Sequence, residues 1–166
     1  MSRKKLSCYF AELILGRRAD AVAVLQGDPN HRELRGIVKF YQRREGVLVV
    51  AEVSGLSVPE GHCANTVHGF HIHSGISCTG TIEEPFANAN GHYNPGGCPH
   101  PAHAGDMIPL FATKFGKAWG AFLSDRFTVK EILGRTVILH EKPDDFTSQP
   151  SGNAGAMIAC GVIKRH

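Results

Sequence analysis

The sequence predicts an all-β fold, built as an antiparallel sandwich or barrel. Three observations carry this: short runs rich in Val, Ile, Phe and Ala recur along the chain, turns rich in Gly, Pro and Asn punctuate them, and no series of helical patterns alternates with them. Residues 19–26 and 35–41 read as strands around an Asp28-Pro29-Asn30 turn. Glu45-Gly46 then breaks the chain, and the Val-rich residues 47–53 form a third strand, so the N-terminal third reads as a meander. Shorter strands follow at 68–73, 118–123, 136–140 and 156–163. One helix of about two turns is expected where Thr128-Val129-Lys130-Glu131 matches a capping box and Gly134 stops it. Residues 74–106 and 141–154 are rich in Gly, Pro, Asn and Ser and lack periodicity, so they read as long loops. Loops of that length in a compact domain usually carry function.

A chain of 166 residues with 42% apolar content suffices for one core and leaves no room for a second domain. The expected division is an N-terminal extension, residues 1–18, followed by one folded domain, residues 19–166. A net charge of +3 with scattered Lys and Arg argues against a nucleic-acid surface, and attracts small anions only mildly. The start Met1-Ser2-Arg3-Lys4-Lys5 is basic like the head of a secretion signal. However, Glu12 interrupts the apolar stretch behind it, Arg17-Arg18 follow, and no small-residue cleavage site comes next. No run reaches membrane-span length. The expectation is a cytoplasmic protein with no nucleic-acid and no membrane partner. The cysteines Cys8, Cys63, Cys78, Cys98 and Cys160 are odd in number, so at least one stays unpaired within a monomer. In a reducing compartment they default to free buried thiols or metal ligands, and spacing alone identifies no pair.

The chemistry is concentrated in the histidines. In a strand, residues two apart share a face, so His71 and His73 can converge on one ion while Ile72 points into the core. Alternatively, one of the two imidazoles simply bonds to backbone. His140, ending another apolar strand, is placed to supply a third ligand. His92, His100, His103 and Asp106 form a compact array in a Gly- and Pro-rich loop, and three imidazoles with one carboxylate suit a closed tetrahedral zinc site. Cys98 could intrude there, but four ligands are complete without it. So many imidazoles are costly to bury as satisfied neutral rings, which favours metal binding, with two ions.

With these residues assembled, the chain resembles the copper/zinc superoxide dismutase family over roughly residues 21–164. The resemblance rests on Gly69-Phe70-His71-Ile72-His73, Gly91-His92-Tyr93-Asn94-Pro95 and His103-Ala104-Gly105-Asp106. It continues through residues 134–140 and through Gly152-Asn153-Ala154-Gly155 to Ala159-Cys160-Gly161-Val162-Ile163. It implies a Greek-key sandwich or flattened barrel of about eight strands with long metal-binding loops. It also implies copper held by His71, His73, His92 and His140, and zinc by His92, His100, His103 and Asp106. His92 would bridge the ions and act catalytically by carrying a proton. Asp144 would tie a copper ligand to a zinc ligand, and Cys78 and Cys160 would form a disulfide. The implied substrate is the superoxide anion, and homodimers are common in the family.

Two departures stand out. Pro101-Ala102 is a much shorter link between zinc ligands than the family's usual one. Met157 stands where the family places an arginine beside copper, leaving residues 146–157 without a charged side chain. Lys142 is the nearest cation in sequence to serve the substrate channel. The expectation is a dismutase of reduced rate. The competing readings are a non-catalytic copper/zinc-binding or metal-storage protein on the same fold, and a structural sandwich whose histidines serve zinc alone.

Overall fold

The computed structural model describes residues 17–61 and 63–166; Cys8 and nearly all of the expected N-terminal extension lie outside these. Nine strands are formed among the described residues: β1 (Ala21–Gly27), β2 (Arg35–Arg43), β3 (Gly46–Ser54), β4 (Val67–His68), β5 (Phe70–His73), β6 (Leu110–Phe111), β7 (Ala118–Ser124), β8 (Thr136–His140) and β9 (Met157–Arg165). Seven make one antiparallel sheet in the order β5-β8-β9-β1-β2-β3-β7, and β4 pairs with β6. The last strand in sequence thus inserts between β8 and the first strand. This return of late strands to early ones is Greek-key connectivity. The sheet curls around its own inner face, giving the half-barrel that the alternation predicts.

Period-two burial explains the curl. Ala21, Ala23 and Leu25 on β1, Val38 and Phe40 on β2, Val47, Val49 and Ala51 on β3, Phe70 and Ile72 on β5, and Val137 and Leu139 on β8 all face one core. The intervening residues of β5 and β8, among them His71, His73, Ile138 and His140, therefore face outward, beneath the long loops. This single alternation puts the imidazoles on the outside of the barrel yet out of solvent.

Three expectations need correction. The helix, α1 (Val129–Ile132), is one turn rather than two, although its capping box forms, with Thr128 and Glu131 exchanging bonds. The stretch 68–73 is not one strand: it breaks at Gly69, whose amide donates to the Lys142 carbonyl, so β4 joins the small pair while β5 joins the main sheet. A Cβ at Gly69 would sit 2.9 Å from that of Ala154, so the crossing point needs glycine. Finally, the unpaired described cysteines, Cys63 and Cys98, are exposed rather than buried.

Candidate metal centre

β5 is an edge strand, and its free side is covered by the loop that follows it. Ile72 donates its amide to Gly105 and accepts from Tyr93, and Gly105 donates to Tyr93 in turn. A Cβ at Gly105 would lie 2.2 Å from the Ile72 carbonyl oxygen, so the approach requires glycine. These bonds set His92 opposite His73 and Asp106 opposite His71. Arg135 anchors the turn beyond, donating to the Ser74 carbonyl and lying 5.1 Å over the Tyr93 ring. β8 pairs with the other side of β5, and a bulge after Leu139 turns His140 toward the group.

The result is two groups of four buried residues that share one member. His71, His73, His92 and His140 offer ligand atoms within 4.8 Å of one another, and so do His92, His100, His103 and Asp106. Every residue expected to bind metal is brought in, and Cys98 is not.

Hydrogen bonds at the outer ends of the rings fix which nitrogens are free. A carbonyl or carboxylate oxygen can only accept, so the ring nitrogen facing it must carry the proton. His71 donates from Nε2 to Asp144 at 2.7 Å, His73 from Nδ1 to the Asn90 carbonyl, His140 from Nδ1 to the Gly155 carbonyl at 3.2 Å, and His100 from Nε2 to Asp144 at 2.9 Å. The opposite nitrogens therefore present lone pairs. His73 Nε2 and His140 Nε2 face each other at 3.3 Å, and His71 Nδ1 has no partner. His100 Nδ1 lies 3.1 Å from an Asp106 oxygen without hydrogen-bond geometry, as two acceptors facing each other must. Buried lone pairs pointed at one another are unfavourable until a cation sits among them. The donor set thus fits a metal in each group.

Among the described residues His92 is the one ring that belongs to both groups, and, like His103, it bonds no outer carbonyl. Its Nε2 is unpartnered on the side of the first group, and its Nδ1 lies 2.7 Å from Asp106 and 3.4 Å from His103 Nδ1 on the side of the second.

Electrostatics agree. Burial, reinforced by the neighbouring rings, lowers His140 to about 3 and holds His73 well below its usual value; burial also lowers His71 against the pull of Asp144. For Asp144, burial favours the neutral acid, but hydrogen bonds from His71, the Phe146 amide and His100 outweigh it and keep the carboxylate charged. A histidine with a lowered folded-state pKa binds its proton more readily when unfolded, so stability falls as pH drops below about 6.5. His140, lowered to about 3, removes about 1.4 kcal/mol per pH unit in this range, or roughly 3 °C, and the lowered His73 and His71 act in the same direction. The melting temperature of metal-free protein is therefore expected to fall steeply from pH 7 to pH 5 and to level off above pH 7.5. A flat profile in calorimetry would mean that these rings are not held neutral.

Three positioning groups were missed in the sequence: His68, which donates from Nδ1 to the His140 carbonyl at 2.9 Å, Arg126 and Gln149. Their partners are distant in sequence, although the spacing His68-x2-His71 marks the first as unusual. Cys78 and Cys160 form the disulfide that the resemblance implies, with Cα atoms 5.6 Å apart. Met157 pairs with His140 across β8 and β9. It lines a cavity of about 520 Å³ whose wall, among the described residues, also contains Asp28, Glu83, Glu84, Glu141 and His31 but no Lys or Arg. Lys142 is exposed, with its stem against Gly155, and is not part of that wall.

A curled antiparallel sheet with two histidine-built groups sharing one ring defines a dinuclear metalloprotein. The family model for copper/zinc superoxide dismutase matches residues 34–163. The chain is 36% identical over 160 residues to Cu-Zn superoxide dismutase A of Xenopus laevis, covering 86% of this chain and 95% of that one. It is 32% identical over 142 residues to a Cu-Zn superoxide dismutase of Photobacterium leiognathi, covering 78% of each. The crystal structure of the clock protein EA4 superposes with a TM-score of 0.72 at 28% identity, over 88% of this chain and 94% of that one. The chain belongs to the copper/zinc superoxide dismutase family, and its cofactors are copper and zinc.

Proposed function

We propose that the protein disproportionates superoxide, two anions and two protons yielding one dioxygen and one hydrogen peroxide. The observation that carries this reading is the shared His92 ring, a member of both groups with Nδ1 bonded to Asp106 and Nε2 unpartnered, which a simple metal store would not need. His71, His73, His92 and His140 would hold copper, and His92, His100, His103 and Asp106 zinc. When bound, copper supplies reversible one-electron exchange and zinc a fixed positive charge. The residues do the rest. The outer hydrogen bonds of His71, His73 and His140 hold their rings in one tautomer and orientation, which keeps rearrangement during turnover small. His92 Nε2 takes a proton in one half of the cycle and releases it to the forming peroxide in the other, while Nδ1 stays turned toward Asp106 and His103. Asp144 keeps the His71 and His100 rings in fixed relation.

The acid-lined cavity at Met157 supports the reduced rate and supplies the case for a second reading. Its carboxylates disfavour anions and draw cations, although no residue of either histidine group lines it. The two are separated by metal analysis combined with stopped-flow superoxide decay. Stoichiometric copper without superoxide decay favours the store, whereas decay that tracks copper content supports the dismutase. In the dismutase, Met157→Arg places a cation beside the reaction centre. At about 6 Å in a wet channel it contributes about 1–2 kcal/mol of attraction, roughly tenfold in rate. The wild-type rate is expected to rise with added salt, since screening weakens the repulsion. No gain from Met157→Arg would sink the steering argument.

A further inference from the structure

The second group rests on a connection of only two residues, Pro101-Ala102, between His100 and His103. A loop this short cannot fold back on itself to brace the ligands it carries, so the bracing has to come from elsewhere. Asp144 pins the far end of the His100 ring through Nε2, but a ring pinned at one end can still swing about its own backbone. The near end is held by Gln149. Its Oε1 accepts the His100 amide at 2.9 Å, and its Nε2 donates to the His100 carbonyl at 2.7 Å. One side-chain amide thus pairs with both main-chain groups of a single residue, as a neighbouring strand would.

The turn bearing Gln149 is fixed in its own right. Asp145 accepts the amides of Thr147 and Ser148 at 2.8 Å each, and the Gly152 amide donates to the Ser148 carbonyl. On the opposite side Arg126 Nη1 donates to the Pro101 carbonyl at 2.9 Å.

We infer that Gln149 is a positioning residue of the zinc group: by clamping the His100 backbone it aims Nδ1 at the point shared with His92, His103 and Asp106. In this chain a side chain from the 144–152 turn takes over the bracing that a longer loop would provide for itself. The inference rests on the zinc assignment proposed above. Gln149 is exposed while His100 is buried, so its replacement leaves the core untouched.

The test uses the full-length protein, with Co²⁺ as a spectroscopic stand-in at the zinc group and chelator competition for zinc affinity. Gln149→Met keeps the length and shape of the side chain and loses both hydrogen bonds. Gln149→Glu keeps the acceptor for the His100 amide and loses the donor. Zinc affinity is expected to fall about 10- to 100-fold in Gln149→Met, the usual cost of removing a ligand's orienting partner. Gln149→Glu should lie in between, and the cobalt visible bands should shift in both variants. Copper affinity should stay within about twofold, and the metal-free melting temperature should hold, as for surface changes in general. Unchanged zinc affinity and cobalt bands in Gln149→Met overturn the inference, as does an equal loss of both metals with a lowered melting temperature. A wild-type protein that gives no tetrahedral cobalt spectrum overturns the zinc assignment itself, and that result appears before any substitution is made.

Discussion

Replacing His92 with alanine is expected to lower copper and zinc affinity together, each by at least about 100-fold, and to take superoxide decay down with them. Loss of a partner that merely orients a ligand already costs about 10- to 100-fold, and His92 stands as a ligand atom in both groups. Its two inward nitrogens are what distinguish this substitution from its neighbours. His73→Ala removes a ring from the first group alone, and His103→Ala from the second alone. Titration of each metal-free variant with copper and zinc separately should therefore give a three-way pattern: both metals weakened, copper weakened, zinc weakened. If His92→Ala kept either metal at wild-type affinity, the shared-ligand assignment would be wrong.

Removing the disulfide by Cys78→Ser with Cys160→Ser is expected to lower the melting temperature of metal-free protein by about 10–15 °C. The bond joins residues 82 apart, and closing a loop of that length removes about 4.5 kcal/mol of denatured-state entropy in the chain-entropy model. For a chain of this size each kcal/mol shifts the midpoint by roughly 2–4 °C. Cys160 is also packed with Phe86, Ala89 and Ile138, so the cross-link draws the loop ending at Asn90 down onto β8 and β9. The Asn90 carbonyl in turn orients His73. Copper affinity should therefore fall along with stability, while the zinc group, whose rings bond elsewhere, should lose less. A midpoint shift under about 3 °C in scanning calorimetry would mean that the apolar cluster alone holds the loop.

The strands and the pairing of His71 with His73 were legible in the sequence because both follow local rules, whereas the place of His92 in both groups was implied only by the family resemblance. Alternation around Ile72 separates the core face of β5 from its histidine face, and the Gly- and Pro-rich stretches mark the loops. The break at Gly69 was not legible, because it depends on where Lys142 and Ala154 arrive from the far end of the chain. In one continuous strand His68 would share the face of Phe70 and Ile72; with the break at Gly69 it bonds the His140 carbonyl instead. Gln149 is exposed and lies in a Ser-Gln-Pro-Ser run that carries no pattern of its own. The acidic wall beside Met157 is likewise assembled from three separate stretches of chain, at Asp28, Glu83-Glu84 and Glu141. A net charge of +3 suggested a mild pull on anions, yet at this cavity the local sign is opposite, since total charge says little about the field at one mouth.

Asp144 closes a circuit. One path between the two groups runs through the His92 ring; the other runs from His71 to Asp144 to His100, with bonds of 2.7 and 2.9 Å. At the corner sits Gly152, where a Cβ would lie 2.0 Å from an Asp144 oxygen and 2.7 Å from His100 Nε2, so the circuit has no slack for a side chain. A closed circuit has no loose end into which a displacement can relax. Ordering of one half should therefore be felt in the other, and copper affinity is expected to rise when zinc is already bound, as titration with and without zinc would read directly. By linkage the coupling is reciprocal: whatever factor zinc adds to copper affinity, copper adds to zinc affinity.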